Sequence, residues 1–376
     1  MALAQDLEIL AERTAPEAFE SFAKHLSPAW IEEVLQVTGT ATIRKRRLPA
    51  EQVVWLVIGM AFFVMRSMKE VVSSLDLALP GRKEVAPSAI TQARGRLGEE
   101  PVAHLFRNTG AVWSGRSADA HRWRGLALYG VDGTTTRVAD SPENRKEFGG
   151  QSEKAKRGAS GYPLVRLLAL MVLRSHIVRN AKIGPYTGSS EASLAQELFP
   201  EIPDDSLTVV DRGFFSPGML VPLEKAGRNR HWLTRAKSKT IWKVVNHLGP
   251  GDDLVEITVS RQARKKDPSL PETWWVRAIS YQRRGYRPEW LLTSLWDAKL
   301  YPAKELIPLY HERWELELGF AEVKTEMLDR QETIRSRTPT GVRQELWGLL
   351  IAYNLIRVEM EQVAAEAGVL PVRISF

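Results

Sequence analysis

The sequence predicts an α/β protein: a mixed sheet flanked by helices and interrupted by a β-rich insertion, with an all-helical N-terminal domain and a helical C-terminal segment. Three patterns lead there. Apolar residues recur at helical spacing as far as about residue 118. From about 120, short apolar runs of strand length alternate with helical stretches. From Thr338 one amphipathic stretch continues without a breaker.

Residues 1–118 are punctuated by "SPAW", "LPAE", "LPGR" and "APSA", each placing a proline where a helix begins or must stop. The longest apolar run, "VVWLVIGMAFFVM" from Val53 to Met65, is shorter than the roughly 20 residues that cross a bilayer, so it reads as a buried helix. Ahead of it stand four consecutive cations, Arg44, Lys45, Arg46 and Arg47. "PSAITQARGRLGEE" opens another helix with Ser88 as the expected N-cap and projects Arg94 and Arg96. Cations near helix starts suit phosphate contacts, and they equally suit the solvated face of a helical bundle.

Residues 119–228 change period. "GLALYGVDGTTTRV" supplies an apolar strand ending at Asp132, "PLVRLLALMVLRSHIVRNAKI" two more, and "SLTVVDRGFFS" a short one ending at Asp211. "SEASLAQELF" and "GMLVPLEKAG" are the accompanying helices. Residues 229–289 are short, polar, strand-like pieces, the expected β-rich insertion. "WLLTSL" at 290–295 resumes the sheet and leads into the helix of "LYHERWELELGFAEVK", within a second core segment of 290–335. Residues 336–376 are the helical end.

Composition narrows the function classes. The chain has 376 residues, 44% hydrophobic and 26% charged, as expected of a globular protein rather than a disordered one. Its 52 Lys and Arg against 45 Asp and Glu leave +7, which favours a polyanionic partner. With no cysteine, disulfides, thiolate metal sites and Cys nucleophiles are excluded, so any metal rests on carboxylates or the seven histidines. The acidic start lacks the basic stretch of a secretory signal, and no run is long enough to span a membrane. A cytoplasmic protein is expected.

Tyr310, Arg313, Glu317 and Lys324 are spaced so that, at about 100° per residue, offsets of 3, 7 and 14 return to roughly 300°, 340° and 320°. On one regular helix all four share a face, beside an apolar stripe of Leu309, Leu316, Phe320, Val323 and Met327. A solvated face laced with ion pairs has the same pattern. Asp132 and Asp211 likewise fit ordinary strand-end turns or a helix cap. Taken together with Glu317, however, they offer three hard oxygen donors that could hold two Mg²⁺ or Mn²⁺ ions about 4 Å apart beside a phosphodiester, with Arg313 and Lys324 fixing its other oxygens. A carboxylate pair could also make a glycosidase, but the cationic companions favour phosphate.

At these residues the sequence resembles the DDE transposases of the insertion-sequence-four group, marked by Y-x2-R-x3-E-x6-K around the third carboxylate. Tyr310, Arg313, Glu317 and Lys324 match it without a gap. "VDGTT" looks like the family's first-aspartate strand and "VVDRGFFS" like its second. "RTPTGVRQELWGLLIAYNLIR" is similar to its C-terminal helix, and "PSAITQARGRLGEEPVAHLF", more weakly, to its N-terminal domain. The resemblance implies a ribonuclease-H-like core and cut-and-paste transposition with Mg²⁺. Such an enzyme binds terminal inverted repeats as a homodimer in a synaptic complex, excises the element, in several members through a DNA hairpin, and joins its 3′ ends to target DNA. It implies metal ligation by Asp132, Asp211 and Glu317, phosphate contacts by Tyr310, Arg313 and Lys324, and a bacterial, nucleoid-associated setting. A base-stacking tryptophan before the last core strand would be Trp290, with Trp274 and Trp275 as lesser candidates. Related chains are expected to continue past "PVRISF". A domesticated sequence-specific DNA-binding protein, or a nuclease without strand transfer, would carry the same residues.

Overall fold

The computed structural model describes residues 24–41, 48–75, 77, 85–151, 161–282, 285, 287–329 and 333–376. Arg44, Lys45, Arg46 and Arg47, and most of the basic loop 149–161, lie outside the described residues. Among the described residues five helices come first: α1 (Pro28–Val37), α2 (Ala50–Phe62), α3 (Met68–Ser74), α4 (Pro87–Leu97) and α5 (Glu100–Ala120). Ser27 caps α1, and Ser67 with Glu70 closes a reciprocal capping box on α3. Ser88 is not the cap of α4. Pro87, which has no N–H to lose, takes the first helical position, so the cap falls on Ala86 and Ser88 lies inside the first turn. The apolar run beginning at Val53 becomes α2, buried from Leu56 through Ala61, as its lack of a polar face requires.

The sheet has ten strands: β1 (Ala127–Val138), β2 (Leu164–Val172), β3 (Val178–Pro185), β4 (Ser206–Val210), β5 (Arg230–Arg235), β6 (Lys243–Gly249), β7 (Asp252–Thr258), β8 (Thr273–Tyr281), β9 (Glu289–Thr293) and β10 (Thr333–Ile334). Its order is β3-β2-β1-β4-β5-β9-β8-β7-β6, with β10 beside β1. Pairs β1/β4, β4/β5 and β1/β10 are parallel, and the others antiparallel. Between the strands lie α6 (Pro142–Phe148), α7 (Glu191–Leu198), α8 (Pro217–Lys225), α9 (Arg261–Lys266), α10 (Ala303–His311) and α11 (Trp314–Glu322), and after them comes α12 (Pro339–Ala367), capped by Thr338.

Two apolar cores cover the two faces. One joins α1–α5, α12 and the apolar side of α11 to the sheet. The other joins α7, α8 and the strands β7 and β8. The N-terminal helices therefore share a core with the sheet. Gly348 on α12 lets the backbone of α2 come so close that an added Cβ would stand 2.7 Å from the Val57 carbonyl oxygen.

Three expectations change. The strand carrying Asp132 does not end there but continues to Val138; only its burial changes, from fully buried through Val131 to half-buried from Asp132. Residues 229–289 are rich in strands, but these join the main sheet: β5 is a parallel neighbour of β4, and β8 continues through β9 into the same sheet. The helix expected across 309–324 is broken at Glu312 and Arg313.

Candidate active site

The local geometry of β1 sets the site. Its outer edge pairs with β4 from Ala127 to Val131, opposite Ser206 to Val210, and then with β10 only from Arg137. Between these lies a gap where β4 has left the sheet. Asp132 and Asp211 are each the next residue after the last paired couple, Val131 and Val210, so parallel register brings them side by side at the mouth of the crevice. The Asp132 carboxylate accepts from the Gly133 N–H at 2.8 Å; Asp211 accepts from the Arg212 N–H at 2.6 Å and caps the short turn Arg212–Phe214.

Glu317 approaches from α11 and is linked to Asp132 through Arg313. Tyr310 lies in the last turn of the preceding helix, where Pro308 has removed one backbone donor, and i→i+3 hydrogen bonds then tighten the turn through Glu312 and Arg313. Arg313 lies between the carboxylates, 2.8 Å from Glu317 and 3.5 Å from Asp132. Burial works to lower the pKa of Arg313. The hydrogen bond to Glu317, the neighbouring Tyr310 oxygen and the charges of Glu317 and Asp132 outweigh it, so the group is held more firmly cationic. Burial pushes the Asp132 carboxyl above its ordinary value, and the charges of Glu191 and Asp211 push the same way, against the Gly133 N–H and Arg313. Burial likewise raises Tyr310.

A cleft of about 600 Å³ opens in front of Asp211. Tyr310 and Arg313 line it, joined by Arg235, Arg287, Tyr281 and Trp314. One nitrogen of Arg235, Nη1, donates to both oxygens of Glu289 at 2.9 and 3.0 Å, and Tyr281 donates to the same carboxylate at 3.0 Å. Burial first, then that hydrogen bond, pushes Tyr281 up to about 12, so it stays a neutral donor.

Two family models match most of the chain. "Insertion element 4 transposase N-terminal" matches residues 16–107 and "Transposase DDE domain" matches residues 124–355. The chain belongs to the insertion-sequence-four family of transposases. It is 39% identical over 358 residues to "Transposase InsG for insertion sequence element IS4" of Escherichia coli (strain K12), covering 95% of this chain and 80% of that one. It is also 39% identical over 284 residues to "Putative transposase InsZ" of the same strain, 71% of this chain and 91% of that one. A chain described as "Cryo-EM structure of piggyBac transposase synaptic complex with hairpin DNA" aligns with 97% of this chain and 73% of its own length at a TM-score of 0.42 and 10% identity, too distant to carry an argument.

The DDE family uses divalent cations, and the three carboxylates suit them as hard oxygen donors. Among the described residues no group of three acidic or histidine side chains surrounds one point, because the guanidinium of Arg313 stands between Asp132 and Glu317. Asp132 and Asp211, neighbours in register, and Glu317, linked to Asp132 through Arg313, are nevertheless hard oxygen donors carried on adjoining elements. In chemistry the residues fit a cation.

The remaining expected residues separate. Lys324 sits half-buried on a π-helical turn, Val323–Met327, away from the lining of the cleft and without an ion pair among the described residues. Trp290 packs edge-on against Trp242, 5.4 Å between ring centres, on the opposite side of its strand from Glu289. Trp274 is core, stacked on Phe215 at 5.5 Å, and Trp275 lies exposed on β8, bonded to Glu256. Arg96 is exposed. Arg94 does not project to solvent as expected: it is buried, and its guanidinium donates to Gln344, Ser336 and the Gly341 carbonyl, because α12 packs across it.

Sequence reasoning missed Arg235, Arg287 and Trp314. Arg235 obeys the same strand-end logic as the aspartates, but its strand was assigned to the insertion. Trp314 had a readable signal, since it lies off the apolar stripe of its helix and is 58% exposed.

Proposed function

We propose that this chain is a cut-and-paste DNA transposase with a ribonuclease-H-like catalytic sheet, in which Asp132, Asp211 and Glu317 ligate two divalent cations, Mg²⁺ with Mn²⁺ as a substitute. The observation that carries the reading is the convergence at the end of β4: two aspartates one register step beyond paired parallel strands, with Arg313 joining the first of them to Glu317. When bound, the cations would activate a water or a 3′-hydroxyl and stabilise the oxygen leaving phosphorus.

The chain's own groups do the rest. Arg313 turns its fork from Asp132 to a non-bridging phosphate oxygen, a geometry that guanidinium matches better than ammonium. Tyr310 donates a neutral hydroxyl to the same phosphate. Arg235 and Arg287 follow the backbone along the cleft, and Lys324 meets it from the π turn. Trp314 offers an exposed ring on which a base displaced from the cleaved end can stack, as a hairpin route requires. Arg96, with Arg44 to Arg47, contacts the terminal repeats. A homodimer places one such site on each element end, in the bacterial cytoplasm on the nucleoid, before the 3′ ends join target DNA.

The test begins with imperfect inverted repeats in the DNA flanking the coding sequence. On a plasmid bearing them, Asp132→Asn, Asp211→Asn and Glu317→Gln should each lower cleavage by roughly a thousandfold or more, while repeat binding stays within about twofold, because phosphate contacts dominate affinity. Normal cutting by any of the three would overturn the assignment. Wild-type binding without metal-dependent nicking would identify a DNA-binding protein instead.

A further inference from the structure

The rear of the catalytic helix is gripped by the tight turn between β2 and β3. Arg174 in this turn forks onto Glu312 at 2.9 and 3.0 Å. Two residues on, His176 is 2% exposed and has both ring nitrogens on carboxylates: Nε2 is 2.9 Å from Glu315 and Nδ1 is 3.3 Å from Glu322. Glu322 also accepts from the Tyr353 hydroxyl at 2.6 Å and lies 3.6 Å from Arg357, which in turn donates to the Ser175 carbonyl.

The backbone of His176 is left-handed, with φ at +61°. Glycine would hold that conformation at less cost, by roughly 1–2 kcal/mol, so the turn keeps a strained residue whose side chain glycine could not replace. Glu315 and Glu322, seven residues apart, share one face of α11, whereas Glu317, about 200° round from Glu315, faces the opposite way. The grip at the rear therefore sets the rotation of α11 about its own axis, and with it the aim of Glu317. Glu322 is also the last α-helical residue before the π turn that bears Lys324.

We propose that His176 is a positioning residue for the catalytic helix, tying Glu315 and Glu322 to the β2–β3 turn so that Glu317 points toward Asp132. The inference rests on the reading of Glu317 as a cation ligand. The variants that test it are His176→Asn, which tolerates the left-handed backbone but cannot bridge two carboxylates, and Glu315→Ala, which removes one partner from a partly exposed position. In the full chain both should bind a duplex of the flanking inverted repeat within about twofold of wild type. Cleavage at saturating DNA should fall about tenfold or more, and calorimetric Mn²⁺ affinity of the DNA-free protein at least about threefold. A helix that is merely destabilised would instead lose binding and cleavage in proportion. Wild-type cleavage and Mn²⁺ affinity in Glu315→Ala, or a proportional loss in both variants, overturns the inference. Glu317→Gln is the control: if it still cuts, the reading of the site fails rather than the role of His176.

Discussion

Asp132 carries an electrostatic cost in the folded chain. Burial and neighbouring carboxylates raise its folded pKa above the ordinary 3.8, so the folded chain holds the proton more tightly than the unfolded one. The sign follows: ionised Asp132 lowers stability at every pH above its folded pKa, and this penalty fades as pH falls through that value and is gone below the unfolded one. Asp132→Asn should therefore melt a few degrees higher than wild type at pH 7, the gap closing as pH approaches about 4. Calorimetric scans across that range check it, and a gap that widens on acidification contradicts it. Added Mg²⁺ should reverse the order by raising the wild-type melting temperature alone, since a ligand bound only by the folded state stabilises it. The two tryptophans separate at the same scale. Trp314→Ala, altering an exposed side chain, should leave melting within about 1 °C yet weaken processing of element ends roughly 5- to 100-fold, as loss of a stacked base does. Trp290→Ala should instead cost on the order of 2 kcal/mol of stability by opening the packing against Trp242. A melting scan paired with an excision assay distinguishes them, and comparable melting losses in both variants would count against Trp314 as the stacking surface.

Between elements, the site depends on how closely α11 can lie on β1. Gly130 makes that approach: a Cβ there would come 2.7 Å from the Leu316 Cδ1 and 2.8 Å from the Leu173 Cδ2. Gly130 stands two residues before Asp132, and Leu316 immediately before Glu317, so the contact that packs the helix also sets the separation between the strand bearing Asp132 and the helix bearing Glu317. Gly130→Val should cost about 1–3 kcal/mol from overpacking and lower cleavage at least tenfold by lifting Glu317 off the strand, with repeat binding little changed. Equal cleavage by wild type and variant would show that the helix repacks without moving Glu317. Much of this region is legible in the sequence: the stripe of Leu309, Leu316, Phe320, Val323 and Met327 is buried, and the strands leading to Asp132 and Asp211 form. The break at Glu312 and Arg313 is not legible, because a tight turn and a π turn on either side of α11 preserve the overall apolar spacing while shifting the phase of what lies between. The hold exerted by Arg174 and His176 is hidden for another reason. It comes from a hairpin more than a hundred residues earlier, and nothing in a local window shows that the turn folds back onto the helix.

Across the whole molecule, α12 binds the parts into one body. Asn354 on it bonds both the N–H and the C=O of Val178 at 2.8 Å, fastening the helix to the β2–β3 hairpin, while Gly348 receives α2 and Gln344 receives Arg94. The sequence divides into helical and sheet-forming regions readily enough. That the helical region shares one core with the sheet, and that β5 belongs beside β4, depends on pairings between distant segments that periodicity cannot report. Arg94 is the sharpest case. Its position in a cationic, helix-borne pattern points to DNA, whereas its guanidinium is enclosed by α4, α12 and the segment between β10 and α12. The consequence is a clean contrast with its neighbour two residues on. Arg94→Ala should cost about 3 kcal/mol, because Gln344 and Glu345 lose a buried partner, and should weaken binding only in proportion to the unfolded fraction. Arg96→Ala, altering an exposed side chain on the same helix, should leave melting unchanged, lower affinity for the terminal repeat, and reduce the slope of log affinity against log salt by about 1. Melting curves and salt-dependent binding isotherms on the two variants decide the matter: a reduced salt slope in Arg94→Ala, measured where the protein is fully folded, would return that residue to the DNA interface.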